Sequence, residues 1–136
     1  MRKYAVIGLG KFGISVATTL YENGVEVIAI DKNEKKLEEV RGRVSATVQM
    51  DSADEQSLKN IGITDMDVVI LAIGEVETSV LTSAILKKLG LKNIHAKVDS
   101  ELHSKILEII GVRSILYPEK QVGEQLAYTL ISPNVI

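Results

Sequence analysis

The stretch YAVIGLGKFGISVATTLYENGVEVIAID, Tyr4 to Asp31, constrains the fold more than any other part of the chain. Gly8, Gly10 and Gly13 stand in G-x-G-x-x-G spacing, closing one β-branched run and opening a segment of helical period, and Asp31 ends the next such run. Glycines so placed mark the corner where a βαβ unit brings backbone amides to a pyrophosphate. Gly8 permits the turn, Gly10 lets the backbone approach without a Cβ in the way, and Gly13 lets the helix close on the strand. The amides at the helix start then face the phosphates, with Lys11 and Phe12 lying between the last two glycines. Asp31 can accept hydrogen bonds from both ribose hydroxyls and would repel a 2′-phosphate, which favours ATP, ADP or NAD over NADP. With Glu34 it could instead form a helix-capping D-x-x-E arrangement.

The same alternation runs to the end of the chain. Strands are expected at Tyr4–Leu9, Glu26–Ile30, Thr47–Met50, Val68–Ile73, Asn93–Val98 and Ser114–Tyr117. Helices are expected at Lys11–Asn23, Asn33–Arg41, Asp54–Asn60, Glu77–Leu89, Glu101–Ile110 and Lys120–Ile131. Strands alternating with helices predict a parallel sheet, and DVVILAIG is apolar enough for a strand covered on both faces. The expected architecture is a single α/β domain, a doubly wound Rossmann-like six-stranded sheet with its crevice at the carboxyl ends of the first and fourth strands. In the fourth helix Val80, Leu81, Ala84, Ile85 and Leu89 share one face, expected to point inward. Ser52 and Glu55 read as a capping box, although Asp51 and Ser52, ending the third strand, could also contact adenine.

Composition removes several functions. The 136 residues, 46% hydrophobic, suffice for one core and not for two ordinary domains. Sixteen basic against eighteen acidic side chains leave a net charge of −2, too little positive charge for a nucleic-acid partner. There is no cysteine, which removes disulfides, thiolate metal sites and thiol nucleophiles, and no apolar run approaches the ~20 residues of a membrane span. A cytoplasmic protein is expected. The two histidines are separated in sequence: His95 falls within a strand, and His103 in the first turn of a helix where it could reach phosphate. No acid–base pair or nucleophile motif accompanies the glycine loop, so no catalytic residue is assigned and the chain is not expected to be an enzyme. Lys11 and Lys97 can neutralise phosphate as point charges, whereas Glu119, just after Pro118, suits a helix N-terminus on its own account.

With YAVIGLGKFG, EVIAIDKNEKKL, DSADEQSLKNIGI, DVVILAIGE, NIHAKVDSELHSKILEIIGV and ILYPEKQVGEQLA in this order, the chain resembles the N-terminal nucleotide-binding lobe of RCK (KTN, TrkA-N) domains, the regulatory subunits of bacterial Ktr and Trk potassium uptake systems, of the KtrA/KtrC kind. The resemblance implies that Gly8, Gly10 and Gly13 cradle phosphates, that Asp31, Lys32 and Asn33 surround the ribose, and that Asp51 and Ser52 flank adenine. It also implies that Ile73, Gly74 and Glu75 line the crevice and that Lys97 and His103 meet the phosphate tail. Lys11 stands where the family usually carries arginine, keeping the charge and losing the bidentate fork. Glu119 matches a glutamate near the dimer interface that can help hold a divalent cation, Mg or Ca. The implied ligands are ATP/ADP or NAD/NADH. The implied assembly is a homodimer building an octameric ring beneath a membrane potassium-translocating subunit of the KtrB/TrkH kind. The family's smaller C-terminal lobe is missing from residues 1–136, and the apolar Val135 and Ile136 of SPNVI suggest a chain that continues. The rival readings are a fragment of an NAD-dependent oxidoreductase, a nucleotide- or redox-sensing dimer without a transporter, and an S-adenosylmethionine methyltransferase.

Overall fold

The computed structural model describes residues 2–132, so the terminal Val135 and Ile136 lie outside the described residues. Along the chain run β1 (Lys3–Ile7), α1 (Lys11–Glu22), β2 (Glu26–Asp31), α2 (Glu34–Val40), β3 (Ala46–Gln49) and α3 (Glu55–Asn60). A short 3-10 turn at Ile63–Asp65 leads into β4 (Val68–Leu71), α4 (Val76–Lys88), β5 (Ile94–Lys97), α5 (Glu101–Ile110), β6 (Ser114–Leu116) and α6 (Pro118–Ile131). All neighbouring strands pair in parallel, in the order β3-β2-β1-β4-β5-β6. The chain steps outward from β1 through β2 to β3, then crosses to β4 on the other side of β1. That reversal leaves the carboxyl ends of β1 and β4 side by side with their following loops splayed apart, so a crevice opens between them.

Two apolar layers hold the sheet. Val6 of β1 and Val68 and Ile70 of β4 point to the side covered by Ala17 of α1 and by Leu37 and Val40 of α2. Ala5 and Ile7, with Val69 and Leu71, point to the other side, against Leu58 of α3, Leu86 of α4 and Leu107 of α5. The alternation is the period-two geometry of a strand, and covering both faces is why β4 is apolar at every position. Each of Leu58, Leu86 and Leu107 is fully buried, worth about 1.5–3 kcal/mol apiece relative to exposure.

Three local expectations are corrected. Of the expected inward face of α4, Val80, Ile85 and Leu89 pack against the core while Leu81, 54% exposed, and Ala84 do not; the fully buried positions are Ser79, Thr82, Ser83 and Leu86, so the helix is turned part of the way from the face its apolar residues suggested. The buried hydroxyls find partners on neighbouring segments: Thr82 Oγ1 lies 2.9 Å from Ser52 Oγ in the turn after β3, and Ser79 Oγ lies 2.9 Å from His103 Nε2 on α5. For the same reason Ser52 does not cap α3. Its hydroxyl is committed to Thr82, and Asp54 takes the cap instead, accepting from the Gln56 amide at 3.3 Å. The last helix begins at Pro118, earlier than expected, because proline lacks the amide that a first helical position leaves unpaired anyway. None of its residues is buried; Val122, Leu126, Tyr128, Leu130 and Ile131 are all exposed.

Candidate functional site

The crevice at the β1/β4 switch point has a volume near 280 Å³, at the small end of ligand pockets of about 300–1,000 Å³. Its floor is the glycine loop. Gly8 has φ +97°, a conformation L side chains rarely adopt, and a Cβ there would lie 2.4 Å from the Ala72 carbonyl oxygen. A Cβ on Gly13 would lie 1.9 Å from the Gly8 carbonyl oxygen, so only glycine lets α1 close on the loop. Gly10 differs from both, since a Cβ there would meet nothing within 4 Å. Its missing side chain serves no packing in the protein and leaves open room at the floor of the crevice. Gly10 is the N-cap of α1 without a side-chain cap, and the first turn of α1 carries no acidic residue. The first-turn amides, which in any helix lack an intrahelical acceptor, here have no side-chain cap either and are left for an anionic ligand.

Asp31 locks this loop to the end of β2. One carboxylate oxygen accepts from the Leu9 amide at 2.9 Å and the other from the Asn33 amide at 2.8 Å, while the Gly8 amide donates to the Ile30 carbonyl at 2.9 Å. Asp31 is thus not the cap of α2. Asn33 is, accepting from the Lys35 amide at 2.9 Å, and Glu34 pairs with Arg41 at 2.8 Å. Each Asp31 oxygen keeps a second lone pair for a ligand donor.

Around this floor the fold brings together Gly8, Gly10, Asp31, Lys32, Asp51, Ser52, Ile73, Gly74, Glu75 and Lys97, all of which line the crevice. Three carboxylates face three lysines there, Asp31, Asp51 and Glu75 against Lys32, Lys36 and Lys97. The carboxylates are occupied within the protein: Asp51 accepts from the Ala53 amide at 2.9 Å, and Glu75 accepts from the Thr78 hydroxyl. Lys97 lies 3.3 Å from Asp99, outside the lining. The lining is therefore close to balanced in charge, and what favours an anion is local: the backbone amides at the start of α1 and whichever lysine reaches it.

The remaining expected residues are elsewhere. Lys11, exposed, and Phe12 and Asn33 are not in the lining; Gly13 packs beneath it. Glu119 stands exposed in the first turn of α6, away from the crevice. Among the described residues no group of three or more His, Asp or Glu side chains could hold a metal ion, so this chain alone does not fit a divalent cation at Glu119. His103 is 2% exposed behind the wall, its Nε2 bonded to Ser79 and its Nδ1 without a protein partner. Burial pushes its imidazole below the ordinary value, with Asp99 opposing and Lys97 adding to the effect. As placed, it does not face the crevice, and no histidine does. Lys36 and Thr78, which line the crevice, were not read from the sequence. Both sit in first helical turns whose start is known only once Asn33 and Glu75 are seen as the N-caps.

A family model described as the TrkA-N domain matches residues 4–118. The Ktr system potassium uptake protein C of Bacillus subtilis is 43% identical over 99% of this chain and 62% of its own length. The Ktr system potassium uptake protein A of the same organism is 38% identical over 99% of this chain and 61% of its own length. The chain thus spans about 62% of the length of the curated relatives it matches. Among solved structures, the Shewanella denitrificans Kef CTD in its AMP-bound form has a TM-score of 0.81 at 19% identity, over 96% of this chain and 82% of that one. At that identity the likeness establishes the shared fold.

Proposed function

The chain belongs to the TrkA-N domain family, and we propose that it is the nucleotide-sensing part of a regulatory subunit of a potassium uptake system. The observation that carries the reading is the pairing of an open Gly10 with an uncapped α1, floored by a loop that Asp31 holds in place. Amides of the first α1 turn bind phosphate, Lys97 and Lys36 neutralise it, and the free lone pairs of Asp31 take the ribose hydroxyls. Ile30, Met50 and Ile73 give the base an apolar berth. The AMP-bound state of the Kef CTD, which shares the fold, supports an adenine nucleotide, and the names of the two Bacillus relatives support the potassium role. Both ATP/ADP and NAD/NADH satisfy the Asp31 criterion, since each carries an adenosine with a free ribose.

The role is regulatory and not enzymatic, a reading supported by relatives named for potassium uptake. Two copies join through the exposed apolar residues of α6, Val122, Leu126 and Leu130, which share one helical face. Further contacts through Leu81, Leu102 and Ile109 on α4 and α5 would extend dimers into a ring against a membrane subunit. Ligand must then favour one ring shape. Moving the ring from 1:99 to 99:1 takes about 5.5 kcal/mol of differential binding, shared among several crevices. The protein acts beside the membrane and not through it, in keeping with the described residues, which contain no helix long and apolar enough to cross one. A second, C-terminal lobe completes the subunit. The test is potassium flux in vesicles carrying the longer subunit and its membrane partner. Flux that changes with added adenine nucleotide supports the reading, and flux indifferent to every nucleotide refutes it.

A further inference from the structure

The inner face of α4 meets α5 at one buried imidazole. His103 is 2% exposed and its Nε2 lies 2.9 Å from Ser79 Oγ, which is itself fully buried. Nδ1 has no protein partner, and neither does the Ser83 hydroxyl one turn further along α4. A neutral imidazole with one hydrogen bond is tolerable in such a place. An imidazolium is not: it carries a second N–H that needs an acceptor, and a charge that needs solvent or a counter-ion. From α4 the ring's hydrogen-bond partner is the Ser79 hydroxyl; the charged groups that act on it are Asp99, in the turn after β5, and Lys97, at the end of β5, of opposite sign. The two elements so joined have different duties. Ser79 adjoins Thr78, which lines the crevice, while α5 is tied at its start to α6 through Glu101 and Lys120, 2.8 Å apart.

We propose that the Ser79–His103 hydrogen bond is a proton-sensitive latch holding α4, one wall of the crevice, against α5, and that protonation of His103 releases it. Burial already disfavours the charged ring, so the latched form excludes a proton that the released form binds. Acidification below the ordinary imidazole range then favours release by up to about tenfold per pH unit, the slope for one proton. Release loosens the wall beside Thr78 with no ligand present. His95 supplies the internal contrast. It is partly exposed, and both its ring nitrogens are engaged, Nδ1 with Ser114 Oγ at 2.7 Å and Nε2 with Asn93 Oδ1 at 2.9 Å, so it has no orphaned atom to drive a switch.

The experiment is amide hydrogen exchange of the ligand-free chain from about pH 8 to about pH 5.5, corrected for the intrinsic pH dependence, together with an NMR titration of the histidine rings. Corrected exchange across α4 should rise up to about tenfold per unit below about pH 6.5, remain flat in His103→Gln, and keep its rise in His95→Gln. A flat wild-type profile, or an equal rise in His103→Gln, overturns the latch. Should His103→Gln fail to fold, the wild-type titration decides: the latch requires the Ser79 amide to shift with the same midpoint as the His103 ring. A ring that titrates without a response in α4 overturns the proposal.

Discussion

Replacing Gly13 and Gly10 in turn by alanine separates what the glycine loop does for the fold from what it does for a ligand. At Gly13 the new Cβ would sit 1.9 Å from the Gly8 carbonyl oxygen and 3.2 Å from the Ala72 Cβ. The first contact is backbone against backbone, so the corner must open by roughly 1 Å, an overpacking that costs about 3 kcal/mol or more. Alanine's better helix propensity returns about 1 kcal/mol at this helical position. The net expectation is a loss of at least about 2 kcal/mol, a large part of the ~5–15 kcal/mol typical of a domain. Gly10 has φ −75° and ψ −170°, open to any residue, and its Cβ meets nothing within 4 Å. There the entropic gain of a stiffer unfolded chain and the loss of a favoured N-cap residue nearly cancel, leaving stability within about 0.5 kcal/mol of wild type. Urea unfolding of both variants without ligand measures these terms, and nucleotide titration of Gly10→Ala measures the rest. Gly13→Ala as stable as Gly10→Ala would refute the packing account, and undiminished nucleotide affinity in Gly10→Ala would refute the approach account.

Asp31→Ala removes acceptors from the Leu9 and Asn33 amides and is expected to cost about 1.5–3 kcal/mol in urea unfolding, besides weakening any ribose contact; an unchanged midpoint would mean that the carboxylate does not hold the loop. Glu55 lies 2.9 Å from Lys88 and 3.2 Å from Lys59, and hydrogen bonds from Lys88 first and Lys59 second hold its carboxyl below the ordinary 4.5. Its contribution is therefore present above that value and lost as the pH falls through the lower, folded one, so the gap in urea midpoint between wild type and Glu55→Gln should be largest near pH 7 and shrink as the pH falls below 4.5. A gap that widens on acidification has the wrong sign. Leu126, 58% exposed on α6, should tolerate lysine with little change in stability while self-association measured by sedimentation is lost; an unaltered oligomer would exclude that face from the interface.

What could be read from the sequence followed from local chemistry. The order of elements and the site of the crevice come from the alternation of period-two and period-3.6 runs and from one glycine corner, all short-range patterns. Gly8 and Gly13 prove to be steric requirements, and Asp31 stands at the crevice as expected, although it also holds the loop by a double amide grip that needs the folded turn to be seen. The inward face of α4 was only partly legible: Val80, Ile85 and Leu89 do pack on the core, but the buried hydroxyls beside them are satisfied by partners far along the chain, Ser52 thirty residues and His103 twenty-four residues away. Without those partners, burying Ser79 and Thr82 in place of Leu81 would be unfavourable. His103 was misplaced for the same reason: its spacing put it near a strand end, but only the packing of α4 on α5 shows that the ring points inward to Ser79. Lys36 and Thr78 escaped because a shift of one residue in a helix start moves a side chain by 100° around the axis, enough to turn it into or out of the crevice.

The central claim is that this corner binds an adenosine nucleotide reversibly. Isothermal titration of the folded chain with AMP, ADP, ATP and NADH, repeated on Asp31→Ala and Gly10→Ala, tests it most directly. Saturable binding of at least one of these ligands, weakened in both variants and leaving the ligand chemically intact, is the predicted result. A folded wild-type chain that takes up none of the four, or binds them as well after both substitutions, would contradict it.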